Sequence, residues 1–293
     1  MDVVLYGKDK YPYPCVLLLG YFDAMHVGHR RLAAYAKELA EKIGARVGIM
    51  TFTGAKKGGQ VFVYEERLYL FESLGMQFAY PAVFDDAFRD TSGGAFLNTV
   101  CSQLQVRAFV CGEDFTFGKG ALCGVSELNA FCADRGISVY ALPLVDCGGA
   151  KAAASNAKAL LDRGDLTHLE KLLGGKYFVR GVVSGRGRQV GRTIGFPTAN
   201  LYPPSEKYPL RSGVYAVSAQ IGGKRYRGIA NYGARPTFGE DNTVLEIYFA
   251  EFSGDLYGKE IVVYFDFFIR DVRKFGSAEE LKIQLKKDLE KIR

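Results

Sequence analysis

The hydrophobic pattern of the chain changes near residue 176, and this change limits the folds open to each part. Before it, continuous apolar runs such as 15–22 and 46–52 alternate with segments of helical spacing such as 29–44. Alternating strands and helices predict a parallel sheet covered by helices. After it, short β-type runs separated by glycine turns lead to one amphipathic helix, which predicts a barrel or sandwich with a terminal helix. At 293 residues the chain is long enough for two such domains.

The same patterns give bounds for the elements. We expect strands at 15–22, 46–52, 77–84, 107–115, 137–145, 177–185, 213–221, 224–233, 243–252 and 260–270, and helices at 29–44, 65–75, 126–136, 154–164 and 165–175. The last helix opens with Ser277 and Glu280, which have the spacing of a capping box. We therefore predict an α/β domain over residues 1–152, a helical connector over 153–175 and a β domain over 176–293.

Composition narrows the class of protein. An apolar content of 48% with 24% charged residues is typical of globular domains. No apolar run reaches the ~18–20 residues of a membrane span, and the opening residues lack a signal-peptide pattern, so we expect a cytoplasmic protein with no membrane contact. The six cysteines lie in the first half without a C-x-x-C pair, which favours reduced, buried thiols over a zinc site.

The positive charge is concentrated in the second half of the chain. Residues 176–293 hold 20 Lys/Arg against 13 Asp/Glu. Such a region suits a phosphate-rich small ligand or nucleic acid, but the terminal run KIQLKKDLEKIR carries much of the excess and is typical of a solvated helix face. We expect small-molecule ligands and no nucleic acid, and no obligatory protein partner is evident.

A glycine- and arginine-rich segment, GVVSGRGRQVGRTIGFPTAN (181–200), is the first candidate site. Glycines let backbone N–H groups approach phosphate, but the ending is not that of a Walker A loop. Thr198 and Asn200 are two residues apart, so in an extended chain they face the same way and can present oxygens to Mg²⁺ beside phosphate. The alternative is a polar turn after Pro197.

A second candidate lies in the strand pattern TVLEIYFAEF. Leu245 and Ile247 alternate with Glu246, whose carboxylate then points away from the apolar face. Such a carboxylate can serve as a general base for an alcohol, and the alternative is a glutamate on the wet face of a strand.

The third candidate, LLLGYFDAMHVGH (17–29), ends a strand and opens a helix. His26 and His29 lie on one face of the helix start, where phosphate is favoured and where two imidazoles can stabilise charge on an attacked phosphate. Zinc ligation competes, but His168 is the one other histidine and no cysteine is close in sequence. Two polar capping residues are the remaining alternative.

Residues 176–293 closely resemble the riboflavin kinase domain of bacterial bifunctional riboflavin kinase/FAD synthetases. The matching segments include GRTIGFPTAN, SGVYAV, ANYGARPTF, LEIYF, DLYGKEIVVYF and IRDVRKF, in the family's order. The resemblance implies a six-stranded flavin-kinase barrel in which Glu246 is the catalytic base. It implies ATP or phosphate binding by Gly191, Arg192, Gly195, Thr198 and Asn200, with Mg²⁺ on the last two, and flavin binding by Arg270, Arg273 and Phe275.

Residues 15–175 resemble the family's FMN adenylyltransferase domain, a Rossmann-like nucleotidyltransferase. GYFDAMHVGH (20–29) and GEDFTFG (112–118) carry this resemblance. It implies that His26 and His29 are catalytic and contact ATP phosphates, together with Gly20, Phe22 and Asp23. It also implies that Asp114 and Phe117 lie near the flavin or nucleotide.

This chain departs from the adenylyltransferase pattern at three places. Ala24 stands where the family has glycine, and TGAKKGGQ (53–60) where it has a P-H-P-like segment. The phosphate motif I-S-S-T-x-I-R becomes AAASNAK (152–158), which keeps one hydroxyl at Ser155 and replaces the arginine by Lys158. Lysine keeps the charge but loses the bidentate fork, so we expect Lys158 to be a weaker phosphate ligand.

The sequence therefore predicts a transferase of flavin cofactor synthesis. It would use ATP as co-substrate and Mg²⁺ as cofactor to convert riboflavin to FMN and then FMN to FAD. One alternative is a riboflavin kinase whose adenylyltransferase domain is weak or silent. A remote alternative is a flavin- or nucleotide-binding protein without catalysis.

Overall fold

A computed structural model describes residues 1–54, 58–149, 151–185, 197–234 and 243–292. The chain divides into two compact units, Met1–Ala154 and Ser155–Arg293. Within the described ranges, none of the helices combines the length and apolar character needed to cross a bilayer.

The first unit is built on a parallel sheet of six strands. The strands are β1 (Asp2–Val3), β2 (Tyr11–Leu18), β3 (Arg46–Thr53), β4 (Phe78–Val83), β5 (Leu104–Gly112) and β6 (Ser138–Leu142). Their order is β1-β4-β3-β2-β5-β6, and every pair is parallel. The central strands bury continuous apolar runs such as Val16–Leu18, as strands covered on both faces require. The predicted Rossmann-like α/β architecture is confirmed.

Five α-helices and one 3₁₀ turn join these strands. They are α1 (Val27–Lys42), α2 (Tyr64–Ser73), α3 (Asp86–Arg89), α4 (Gly93–Gln103), the turn Lys119–Ala121, and α5 (Val125–Ala133). Helix α4 was not predicted, because its glycine-rich start hides a cap. The hydroxyl of Ser92 accepts from the Ala95 N–H at 3.3 Å, and the helix buries Phe96 and Val100.

Two connecting helices come next, α6 (Ala154–Arg163) and α7 (Leu166–Leu173). Helix α6 is bound to the second unit by its own hydrogen bonds. The Arg211 N–H donates to the Leu161 carbonyl at 2.9 Å, and the Tyr208 hydroxyl lies 3.0 Å from both carboxylate oxygens of Asp162.

The second unit is an antiparallel sheet of six strands that curls into a barrel. The strands are β7 (Phe178–Val182), β8 (Ala199–Leu201), β9 (Gly213–Ile221), β10 (Lys224–Ala234), β11 (Thr243–Phe249) and β12 (Glu260–Arg270), in the order β7-β12-β9-β10-β11-β8. A bridge from Ser184 N–H to the Asn200 carbonyl, 2.8 Å, joins the two edges. The predicted six-stranded barrel is confirmed.

The terminal helix α8 (Ala278–Glu290) packs on the barrel through a small cluster that includes Ala216, Ile229 and Ile292. Ser277 caps it as predicted, accepting from the Glu280 N–H at 3.2 Å. The Glu280 carboxylate, however, accepts from Gly276 rather than from the cap residue, at 3.0 Å, so the capping box is shifted by one residue.

All six cysteines are free. Cys15, Cys111 and Cys132 are buried in the first unit, as expected for small apolar residues. Burial raises the pKa of Cys15 to about 12 and that of Cys111 to about 11, so these thiols stay protonated at neutral pH.

Candidate active sites

A strained loop joins β2 to α1 at the carboxyl edge of the parallel sheet. Phe22 and Met25 adopt positive φ angles of 58° and 42°, a conformation that costs free energy for residues other than glycine and that concentrates at functional sites. The ring of Phe22 is buried, and a Cβ at Gly20 would lie 2.9 Å from it. The loop is therefore folded around Phe22, and Gly20 is needed for that packing.

The two histidines of the motif lie against each other at the start of α1. Their rings stack with centroids 3.6 Å apart, and His26 Nδ1 accepts from the His29 N–H at 3.4 Å. A Cβ at Gly28 would lie 3.2 Å from the His26 ring, so glycine lets this ring fold back over the helix. Since Nδ1 is the acceptor, a neutral His26 carries its proton on Nε2 and can donate from there.

His26 is neutral at physiological pH. Its side chain is buried, and this burial lowers its pKa to about 4, a shift that Asp114 opposes and Lys151 adds to. A neutral imidazole beside the helix start can donate a hydrogen bond to a phosphate oxygen without adding charge.

The histidines open into a cleft of about 290 Å³. Lys151 lies there with its Nζ 2.5 Å from Asp114 Oδ2, and both side chains are half exposed. Sequence analysis missed Lys151, although its place directly before the altered phosphate motif was a usable signal. The wall of the cleft includes Gly20, Phe22, Asp23, His26, Gly28, His29, Arg31, Asp114, Phe115, Lys151, Ala152, Ala153 and Ala154.

Asp23 anchors the loop rather than standing open in the cleft. Its carboxylate accepts from the Val61 N–H at 2.8 Å, and its carbonyl accepts from the Phe62 N–H at 3.3 Å. The neighbouring Ala24 is fully buried and is absent from the residues with positive φ. The backbone at this position therefore does not need the conformational freedom of the family's glycine.

A buried arginine that the sequence did not reveal supports the same loop. Arg67 of α2 is fully buried and donates to the Tyr21 carbonyl at 3.1 Å, the Phe52 carbonyl at 2.8 Å and Gln60 Oε1 at 3.1 Å. It also donates to the hydroxyl of Thr51, which itself donates to the Tyr21 carbonyl. One side chain thus ties the loop to the end of β3.

A second pocket, of about 570 Å³, adjoins the cleft and is mostly aromatic. Asp114 and Phe115 line both cavities, so they stand at the border. Phe117 lines the second pocket and stacks on Phe115 with centroids 5.7 Å apart. The remaining aromatic walls are Tyr21, Phe52, Phe84, Phe88 and Phe96. Such a pocket has the size and chemistry to hold a flat conjugated ring.

The altered phosphate motif is divided by the structure. Ala152, Ala153 and Ala154 line the cleft, so the positions of the lost hydroxyls face the candidate site. Lys158 lies within the second unit, with its Nζ 5.0 Å from the ring centroid of Tyr208. The structure thus brings the first part of the motif to the cleft and shows a different contact for Lys158.

In the second unit, strand register brings the three predicted kinase residues together. Asn200 of β8 is the partner of Glu246 in β11, and the Thr198 hydroxyl lies 3.1 Å from Glu246 Oε1, to which it donates. Leu245 and Ile247 are fully buried while Glu246 is partly exposed, so the predicted alternation is confirmed. The three side chains offer only oxygen ligands and an amide, a set that suits a hard cation such as Mg²⁺.

The predicted flavin loop packs against the terminal helix. Arg270 binds Asp288 with both carboxylate oxygens within hydrogen-bonding distance, and Asp288 is fully buried. Arg273 donates to Gln284 Oε1 at 2.7 Å, and its guanidinium lies 4.6 Å from the ring centroid of Phe275. The segment is therefore held by α8.

Three predicted phosphate ligands, Gly191, Arg192 and Gly195, lie outside the described residues. Among the residues that the structure does describe, no group of three or more His, Cys, Asp and Glu side chains is arranged to hold a metal. Oxygen ligands from Thr198 and Asn200 thus remain the candidates for a cation.

The folds and sites define a two-unit, nucleotide-dependent transferase: a parallel sheet with a histidine pair at a helix start, and a barrel with a base beside oxygen ligands. A family profile described as FAD synthetase matches residues 8–156, and one described as riboflavin kinase matches residues 173–293. The chain belongs to the bacterial family of bifunctional riboflavin kinase/FMN adenylyltransferases.

The relatives extend over nearly the whole chain. The bifunctional riboflavin kinase/FMN adenylyltransferase of Bacillus subtilis is 32% identical over 93% of this chain and 90% of its own length. The protein of the same description from Escherichia coli K12 is 31% identical over 94% of this chain and 90% of its own length.

A solved structure agrees in fold. A crystal structure from Streptococcus pneumoniae, titled macrolide-efflux protein, superposes with a TM-score of 0.86 at 29% identity, covering 99% of this chain and 98% of that one. The activity in that title is said of that protein, and the likeness adds support for the architecture of both units.

Proposed function

We propose that the second unit transfers the γ-phosphoryl group of ATP to riboflavin and that the first unit transfers the AMP group of a second ATP to the FMN so formed. The observation that carries the proposal is the grouping of Thr198, Asn200 and Glu246 on neighbouring strands of a barrel. A base beside oxygen ligands suits phosphoryl transfer to an alcohol, which depends mainly on positioning and charge stabilisation.

In the kinase reaction Glu246 takes the proton of the ribityl 5′-hydroxyl as its oxygen attacks the γ-phosphorus, and ADP leaves. The Thr198 hydroxyl fixes the orientation of the Glu246 carboxylate by its hydrogen bond. We assign Mg²⁺ to Thr198 and Asn200, where it would neutralise charge on the phosphate oxygens. Gly191, Arg192 and Gly195 keep their proposed place at the phosphates, and Arg270, Arg273 and Phe275 theirs at the flavin.

In the adenylyl transfer a phosphate oxygen of FMN attacks the α-phosphorus of ATP, and pyrophosphate leaves. Neutral His26 donates to the phosphate oxygens, His29 lies beside it, and Lys151 adds positive charge after exchanging Asp114 for phosphate. The aromatic pocket bordered by Asp114 and Phe117 suits the isoalloxazine ring.

The test is one incubation of the purified protein with riboflavin, ATP and Mg²⁺, followed by chromatography of the flavins over time. We expect FMN to appear first and FAD afterwards. FMN that accumulates without FAD would contradict the second activity, and the absence of both products would contradict the whole proposal. A parallel incubation with a chelator tests the metal, because both products should then be lost.

We also propose a cytoplasmic location, which the six free cysteines and the requirement for ATP support. Cell fractionation with an antibody against the chain tests it, and recovery outside the cytosolic fraction would contradict it.

A further inference from the structure

A row of paired residues runs across the barrel through the kinase site. On successive strands β12, β9, β10, β11 and β8 the backbone partners are Arg270, Val214, Asn231, Glu246 and Asn200. Directly paired residues in a sheet project to the same face, with Cβ atoms about 4.5–5.5 Å apart for adjacent strands. This row therefore joins the predicted metal ligand, the predicted base and the predicted flavin loop.

The row lies on the outer face of the barrel. In β11 the buried residues Leu245 and Ile247 occupy the interior, so Glu246 between them faces outward. Its partner Asn231 faces outward as well and is exposed, whereas the partner pair Tyr232 and Leu245 is buried.

Asn231 stands where this outer face becomes open. Two residues earlier on the same strand, Ile229 is buried under α8 through its contact with Ile292. Across the described ranges, no hydrogen bond joins the Asn231 amide to another residue. The amide therefore points from the sheet directly beside the base with its donors and acceptor available.

The order of the row decides which substrate reaches Asn231. Asn200, assigned to the metal and ATP phosphates, lies on one side of Glu246, and Asn231 lies on the other. The acceptor alcohol meets the phosphate at Glu246, so the rest of the acceptor molecule extends away from the phosphate, toward Asn231 and then Arg270. The part of riboflavin next to the reacting hydroxyl is a polyol chain.

We propose that Asn231 binds a ribityl hydroxyl of riboflavin next to the reacting 5′-hydroxyl and thereby holds that hydroxyl against Glu246. An amide offers two donors and one acceptor oxygen, which suits a hydroxyl that can both donate and accept. The proposal rests on the proposed kinase function.

The test compares Asn231→Ala with Gln220→Ala. Gln220 is an exposed amide six residues from Val214 on β9, on the same face and about 20 Å along the strand. Steady-state rates are measured with riboflavin and with analogues that each lack one ribityl hydroxyl. Riboflavin binding is followed separately by fluorescence quenching.

We expect Asn231→Ala to lower kcat/KM for riboflavin about 3- to 10-fold, the size of one neutral hydrogen bond, with KM for ATP unchanged. One deoxy analogue should cost the wild-type protein this same factor and cost Asn231→Ala nothing further. Gln220→Ala and the conversion of added FMN to FAD should match the wild type.

Two results would overturn the proposal: an unchanged kcat/KM in Asn231→Ala, or an equal loss on every analogue in both proteins. Asn231→Asp gives a further check, because a second carboxylate beside Glu246 should raise the pKa of the base in the pH–rate profile. No shift would show that the two side chains do not meet. If the wild type forms no FMN, the kinase function fails, while the fluorescence titration still tests whether Asn231 binds riboflavin.

Discussion

The two candidate sites are held in place by different means. In the second unit, Asn200, Glu246 and Asn231 lie on paired strands, so their grouping follows from backbone register. In the first unit the histidines follow a loop with two strained residues, and the buried side chain of Arg67 fixes its carbonyl at Tyr21. A site on strands tolerates the loss of one neighbour better than a site on a loop that depends on one buried side chain.

The largest expected effect is on the kinase base. Glu246→Gln keeps the size and the hydrogen bond of the side chain but cannot take a proton, so FMN formation should fall about 100- to 10,000-fold. Chromatography with riboflavin as substrate measures this loss. Added FMN should still be converted to FAD, and a normal rate of FMN formation would remove Glu246 from the base role.

The next effect tests the dependence of the first unit on Arg67. Arg67→Met leaves buried acceptors such as the Phe52 carbonyl without their donor, at about 1–3 kcal/mol for each group. We expect FAD formation from FMN to be lost at a denaturant concentration that leaves the wild type active, while FMN formation persists. Arg67→Lys is the matched control, because it keeps the charge and should lie between the two; equal resistance of all three proteins would contradict the role of Arg67 in holding the loop.

A smaller effect concerns the altered phosphate motif. Ala153 and Ala154 line the cleft, whereas Lys158 contacts Tyr208. Restoring the family's residues with Ala153→Ser, Ala154→Ser and Lys158→Arg should raise FAD formation about 3- to 10-fold, and the two serines alone should give most of the gain. Rates with saturating FMN and varied ATP measure it. A gain that needs Lys158→Arg would show that this side chain reaches the nucleotide.

The smallest effect is one of pH. Burial depresses the folded-state pKa of His26 to about 4, below the value near 6.5 of an unfolded histidine. The unfolded chain then binds the proton more readily, so the stability that His26 contributes is present above pH 6.5 and is lost as pH falls toward 4. NMR titration of the imidazole should show no midpoint near 6.5, and FAD formation should have no break there.

His26→Gln is the control for this measurement. The variant has no titrating group at the position, so its free energy of unfolding should fall less than that of the wild type between pH 7 and pH 5. An imidazole that titrates near 6.5 in the folded protein would contradict the buried, neutral state.

The sequence alone determined both architectures and the kinase grouping. Periodicity separates a parallel sheet from a barrel because buried strands and half-buried strands have different apolar patterns, and a period of two places Thr198 with Asn200 and Glu246 outside the core. The family motifs then indicated which polar residues carry the chemistry.

The tertiary structure alone decided how those residues are held and which others join them. Arg67, Lys151 and Asn231 come from segments distant in sequence from the motifs they support, and no local pattern marks a residue whose partners arrive through folding. Helix α4 was missed for a related reason, since its start is rich in glycine and burial of Phe96 stabilises it. Local patterns are set by neighbours along the chain, whereas a site is set by neighbours in space.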